Sequence, residues 1–251
     1  MPDAVVPKLF VHGNPETDAV WTPLVDALAA AGVTDVELLS PPGFGAPVPD
    51  GFACRRSDYC DWLIGELEAR VDATGQPVDL VGHDWGAGHV YAVLATRPDL
   101  VRSWAADCAG LLHPDYEWHD AARAWQAPGG ETIADVMRGL PAAAVLSWGV
   151  PPGYADALAA GIDTTMTTAM LALYRSAVQP ELRQLGAAVT AAARPRGMVF
   201  EPDGDPYVPP GLSREVAASL DATGVPLPGC GHWWMWEAPA RAATALISFW
   251  R

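Results

Sequence analysis

Gly82-His83-Asp84-Trp85-Gly86 places a carboxylate between two glycines, directly after the predicted strand Val78 to Val81 and at the start of a helical pattern reaching about Arg97. In the G-x-nucleophile-x-G arrangement a strand turns sharply into a helix and pushes one side chain into a site. Here that side chain is Asp84, and the helix N-terminus behind it favours its ionised form. A carboxylate that attacks carbon makes an alkyl-enzyme ester, so a base is needed to deprotonate the water that hydrolyses the ester. His232, in a Gly/Cys-rich loop between the last predicted strand and the last helix, is the candidate for that base, and the alternatives His83 and His89 read as elbow and helix residues. Backbone N–H groups of Asn14 and Trp85 are the expected oxyanion hole, because the hole uses the residue after the nucleophile and the loop after the first strand.

Alternating elements must position these residues. Leu9 to Val11 is a short apolar run ending at His12-Gly13-Asn14-Pro15, followed by a helix with Trp21, Leu24, Val25 and Leu28 on one face and Gly32 at its end. Val36 to Leu39 reads as a second strand. Cys60, Leu63, Ile64, Leu67 and Val71 stripe the next helix, and Val78 to Val81 is the third strand. A fourth strand spans about Ser103 to Cys108. Strands resume at Gly197 to Phe200 and near Val225, and a last helix carries Ala243, Leu246, Ile247 and Trp250. This rhythm predicts an α/β fold with a mostly parallel sheet covered by helices. Residues 111–179 hold helical patterns, prolines and tryptophans but no strand. They read as a helical cap over a core formed by 1–110 and 180–251.

The chain has 251 residues, half of them hydrophobic, and a formal net charge of −15. That charge argues against nucleic acid and against an anionic membrane surface. No apolar stretch reaches the ~20 residues of a membrane span, and the first residues do not read as a signal peptide, so a cytoplasmic protein is expected. Cys54, Cys60, Cys108 and Cys230 are scattered without zinc spacing, and neither a metal nor a cofactor is expected.

His12-Gly13-Asn14-Pro15, Gly82-His83-Asp84-Trp85-Gly86 and Gly229-Cys230-Gly231-His232-Trp233 together resemble the α/β-hydrolase fold enzymes with an aspartate nucleophile, the haloalkane dehalogenases and epoxide hydrolases. The resemblance implies an α/β-hydrolase fold with the cap inserted after the fourth strand. It places His232 above Asp84 as the base and assigns Asp205 as the acid that orients it, with Asp107 and Asp203 as alternatives. Members usually carry a β-hairpin before the first motif, and only eleven residues precede His12, so that edge hairpin is expected to be missing. The exposed edge could pair in a homodimer or stay covered in a monomer.

The resemblance leaves the broken bond open. Asn14 and Trp85 resemble the halide-binding pair of the dehalogenases, which makes carbon–halogen cleavage in a small apolar substrate the first expectation, with water as co-substrate. Epoxide hydrolases supply a proton from cap tyrosines, and Leu173-Tyr174-Arg175 resembles one of them. A partner is not evident: Tyr116, Trp118 and His119 lie in the right stretch, and only Tyr116 replaces a tyrosine directly. Met166, Met170, Leu173, Tyr174 and Ala177 also share one helical face, so a core role for Tyr174 stands beside the functional one. Trp85 replaces the arginine that dehalogenases of fluorinated acids carry after the nucleophile, which disfavours that reaction. Trp85, Trp118, Trp125 and Trp148 would suit an apolar pocket. A non-catalytic binding protein on the same scaffold is the remaining alternative.

Overall fold

The computed structural model describes residues 6–193 and 195–251. Its strands are β1 (Lys8–Val11), β2 (Val36–Leu39), β3 (Val78–Gly82), β4 (Val101–Ala106), β5 (Arg196–Pro202) and β6 (Thr223–Leu227). They form one sheet in the order β2-β1-β3-β4-β5-β6, and every pair is parallel. Central β3 is buried at all five positions. A parallel strand covered on both faces is mostly apolar, as Val78, Leu80 and Val81 are; the exception, buried Asp79, accepts from Arg102 Nε at 2.9 Å and from the Ser103 hydroxyl at 2.5 Å on the adjacent β4. Among the described residues nothing pairs with the outer side of β2, so the sheet starts at that edge.

The helices of the core are α1 (Thr22–Ala30), α2 (Arg56–Thr74) and α3 (Trp85–Thr96), then, after the cap, α9 (Glu181–Ala191), α10 (Pro210–Ser219), the single turn α11 (Trp234–Glu237) and α12 (Pro239–Trp250). Residues 111–179, expected to form the cap, hold α4 (Asp120–Gln126), α5 (Gly130–Met137), α6 (Ala142–Val145), α7 (Pro152–Gly161) and α8 (Thr164–Arg175). The chain winds outward from β1 to β2, then returns past β1 to β3 and onward. Right-handed crossovers therefore put α1 on one face and α2 and α3 on the other. Accordingly α1 packs on α12, while α2 and α9 flank α3. Phe10 of β1 meets Trp21 and Trp250 edge-on, which ties the sheet to the α1–α12 layer.

The reversal falls between β1 and β3, and an open α/β sheet has its crevice there, at the strand C-termini. Val11 pairs with Gly82, and Gly82 with Ala106. Three chain segments, after Val11, Gly82 and Ala106, thus leave the sheet side by side. The fourth strand ends earlier than expected, at Ala106: Cys108 adopts a left-handed backbone with φ 50°, which no strand continues through. Among the described residues no helix is long and apolar enough to cross a membrane.

Candidate active site

Asp84 is the first residue after the turn that follows β3, with φ 53° and ψ −121°. A non-glycine residue at positive φ is strained, and strain of this kind is held only where the surroundings fix it. Two glycines make room. A Cβ on Gly86 would stand 2.0 Å from the Val11 carbonyl oxygen, and one on Gly13 would stand 2.3 Å from Asp84 Oδ1. The first lets α3 start against β1, and the second lets the loop after β1 close over the carboxylate. That loop brings the Asn14 backbone N–H to Asp84 Oδ1 at 3.0 Å.

Burial pushes the Asp84 carboxyl up to about 6, against the pull of His232 and the Asn14 N–H. The helix N-terminus alone led to the opposite expectation. Desolvation wins because water reaches little of the carboxylate, yet Asp84 remains mostly ionised at neutral pH.

His232 lies in the turn after β6. Its Nδ1–H donates to Asp205 Oδ2 at 3.0 Å, and its Nε2 stands 3.6 Å from Asp84 Oδ2. Burial pulls the His232 pKa down, but Asp205 more than offsets this and raises it above its ordinary value. The other Asp205 oxygen accepts the Tyr207 backbone N–H at 2.8 Å. Asp203 instead caps the His232 loop, accepting from the Gly229 N–H at 2.7 Å.

Asp107 lies elsewhere. Its Oδ1 accepts the Asp84 backbone N–H at 2.9 Å, and its Oδ2 accepts from Trp234 Nε1 at 2.6 Å and from His83 Nδ1. His83 donates its second proton to Glu16 Oε1 at 3.2 Å, and Glu16 also accepts from Trp233 Nε1 at 2.7 Å and the Gly13 N–H at 3.1 Å. Glu16, His83 and Asp107 are all essentially inaccessible to solvent. Burial opposes charge on His83, but the two carboxylates raise its pKa well above the ordinary value, so it is an imidazolium between two anions. His83 in turn keeps both carboxyls below their ordinary values despite burial. The sequence reading of His83 as plain elbow packing therefore misses a buried ion cluster under the nucleophile. Glu16 was missed altogether, although a carboxylate two residues after Asn14, in the loop that reaches Asp84, is the available signal.

Among the described residues two clusters have metal-like spacing, Glu16–His83–His232 and Asp84–Cys108–His232, each within 4.8 Å. In the first, His83 has no free lone pair. In the second, burial and the carboxylates of Asp107 and Asp205 push the Cys108 thiol well above its ordinary pKa, away from the thiolate that binds metals.

A cavity of about 230 Å³ opens above Asp84 and His232, lined by Asn14, Tyr174, His119, Tyr207, Trp233 and an apolar wall that includes Trp125, Trp148, Ile133 and Met137. That is below the ~300–1,000 Å³ of sites for drug-sized ligands. Trp85, Tyr116 and Trp118 line a small recess beside it. Tyr174 is buried in an aromatic cluster, its ring 5.2 Å from Trp85, and its hydroxyl faces the Trp85 indole and the Asn14 amide. It is thus both a core residue and a cavity residue. Both polar atoms of the Asn14 amide are buried without a partner in hydrogen-bond geometry among the described residues, the Tyr174 hydroxyl being the group that faces them. Tyr116 and Trp118 have their protons committed: the Tyr116 hydroxyl donates to the Tyr207 carbonyl at 3.4 Å and Trp118 Nε1 to the Ala177 carbonyl at 2.9 Å.

A family model described as "Alpha/beta hydrolase family" matches residues 9–245. The chain belongs to the alpha/beta hydrolase family. Among its relatives, a haloalkane dehalogenase from Bradyrhizobium diazoefficiens is 31% identical over 115 residues, which is 45% of this chain and 34% of that protein. An epoxide hydrolase from Caballeronia sordidicola is 34% identical over 100 residues, 38% of this chain and 28% of that protein. The matches thus span about a third of those relatives' own length. Of solved structures, a haloalkane dehalogenase from Bradyrhizobium elkani superimposes with a TM-score of 0.73 at 23% identity, covering 99% of this chain and 91% of that one. The α/β-hydrolase fold expected from the three motifs is the fold the chain has.

Proposed function

We propose that this α/β-hydrolase cleaves a carbon–halogen bond in a small apolar substrate. The observation that carries the reading is the Asn14 amide, buried and unpartnered beside Asp84. A buried N–H without a partner is costly, and is retained where it meets charge that develops during a reaction. Asn14 Nδ2–H and Trp85 Nε1–H supply two donors for a departing halide.

In the first step an Asp84 oxygen attacks the carbon, the carbon–halogen bond breaks, and the halide leaves with the electron pair toward Asn14 and Trp85. In the second, His232 Nε2 takes a proton from water, and the hydroxide adds to the ester carbonyl carbon. The Asn14 backbone N–H, already 3.0 Å from Oδ1, holds the oxyanion together with the Trp85 N–H. The alcohol departs with the proton from His232, and Asp84 returns to a carboxylate as a proton passes to solvent. Asp205 is the acid of this triad, because it accepts the Nδ1–H that fixes the tautomer and supports the imidazolium. Residues 111–179 act as the cap that excludes water from the cavity.

One observation favours a second reading. The Tyr174 hydroxyl faces the same point as Asn14 and Trp85, where an epoxide oxygen would need a proton. Paired incubation with a haloalkane panel and with styrene oxide separates the two: halide release is the expected product, and diol formation without halide release would replace this reading with epoxide hydrolysis.

A further inference from the structure

Among the polar wall groups that the proposed chemistry does not use, His119 is the one whose proton is placed by a helix cap. His119 caps the N-terminus of α4, and its Nδ1 accepts the Ala122 backbone N–H at 3.3 Å. Burial and the nearby His232 pull the His119 pKa down to about 4, so the ring is neutral at neutral pH. A neutral imidazole carries one proton, and an accepting Nδ1 puts it on Nε2. Nε2 has no partner among the described residues. The ring itself is part of the cavity wall, 5.1 Å from the Tyr207 ring and 6.3 Å from that of Tyr174. Beside it the wall is largely apolar, with Ala121, Ile133, Met137 and the Trp125 ring, whose Nε1–H is itself buried without a partner among the described residues.

The Nε2–H is thus a donor whose tautomer is fixed by a helix cap, set in a largely apolar stretch of the wall. A purely hydrocarbon ligand would displace water from it and leave it unsatisfied, whereas a ligand oxygen would satisfy it.

We propose that His119 is a specificity-determining donor whose Nε2–H hydrogen-bonds an oxygen of the substrate. The site then takes an apolar chain that bears an ether, carbonyl or hydroxyl oxygen in addition to the bond broken at Asp84. This deepens the reading of the site as a carbon–halogen hydrolase and rests on it for the reacting bond.

Matched probes test it: 1-bromopentane and 2-bromoethyl ethyl ether differ only by one CH2 for one oxygen. Their dissociation constants are read from tryptophan fluorescence quenching in an Asp84→Asn background, where the ester does not form, with and without His119→Ser. Serine keeps a cap acceptor for α4 but removes the ring donor. The expected result is an about 3–10-fold loss of preference for the ether in His119→Ser, with 1-bromopentane little changed. An unchanged ratio overturns the proposal even if both probes weaken, because a merely structural role affects both alike. Failure of the ether to bind overturns it too. Should His119→Ser not fold, the long-range ¹H–¹⁵N spectrum of histidine-labelled protein reads the tautomer directly: a proton on Nε2 is expected, and one on Nδ1 overturns the proposal. Bromide release by the unsubstituted protein is followed separately. Its absence would count against carbon–halogen cleavage while the binding ratio still reports on His119.

Discussion

His232 Nε2 stands 3.6 Å from Asp84 Oδ2, beyond hydrogen-bond length, although both groups face one cavity. In the proposed mechanism His232 is not needed to activate Asp84, and it is free to act on a water once the ester has formed. His232→Ala is therefore expected to form the ester and stall there. Intact-protein mass spectrometry after incubation with a haloalkane should show the protein plus the alkyl group. An unmodified mass, with a compound the unsubstituted protein turns over, would sink the nucleophile assignment.

The two steps should titrate apart. Attack needs ionised Asp84, whose carboxyl is pushed up to about 6, so alkylation falls as pH drops through about 6. Ester hydrolysis needs neutral His232, whose pKa lies above the ordinary 6.5, so hydrolysis fails first as pH falls. Rapid-quench measurements across pH 5–9 should show the ester accumulating on the acid side of neutrality and not at high pH. A hydrolysis midpoint below the alkylation midpoint would contradict the assigned roles.

Asp205 and Asp107 are separable because they hold different partners. Asp205→Asn removes the acceptor that supports the His232 imidazolium and should lower turnover by about 10⁴ with modest loss of stability. Asp107→Asn disturbs the Asp84 N–H, His83 and Trp234 together, so its main effect should be on unfolding. Steady-state rates and urea melts on both variants check this. A severe rate defect in a stable Asp107→Asn, with Asp205→Asn mild, would reverse the assignment.

What the sequence discloses here follows from how local the physics is. The strands are legible because a two-sided parallel sheet favours short, mostly apolar segments, and the elbow because its glycines sit at fixed offsets from Asp84. The Glu16–His83–Asp107 cluster joins segments that follow three different strands, and only the pairing of Val11 with Gly82 and Gly82 with Ala106 brings them together. The sign of the Asp84 shift was missed for the same reason: the helix N-terminus is visible in the sequence, whereas the depth of burial is a tertiary fact. Tyr207 and Trp233 were not picked out as cavity residues because nothing in their spacing marks them. The cap resisted subdivision because α4 to α7 are short helices held by packing more than by periodicity.

The buried cluster should dominate stability near the site. His83→Gln leaves Glu16 and Asp107 buried without their cation, and breaking a buried ion pair from one side costs about 3–5 kcal/mol. Urea unfolding with an unchanged m-value should report a loss of that size. A loss below about 1 kcal/mol would mean that His83 is not charged in the folded protein.

Variants of Asn14 and Tyr174 separate the two proposed reactions. Asn14→Ala keeps the backbone N–H on Asp84 but removes the side-chain donor from the departing halide. Losing one such donor in a water-poor site costs ~10²–10³ in rate. The loss should fall on the alkylation burst and spare ester hydrolysis, because the halide departs only in the first step. Tyr174→Phe should be close to neutral, since a halide leaves as a stable anion and needs no proton. Epoxide hydrolysis requires the reverse, because an alkoxide that loses the Tyr174 proton cannot leave readily. Pre-steady-state bursts of both variants with a haloalkane and with styrene oxide give the answer. A crippled Tyr174→Phe beside an unaffected Asn14→Ala would replace carbon–halogen cleavage with epoxide opening, and the unpartnered Asn14 amide would then need a different account.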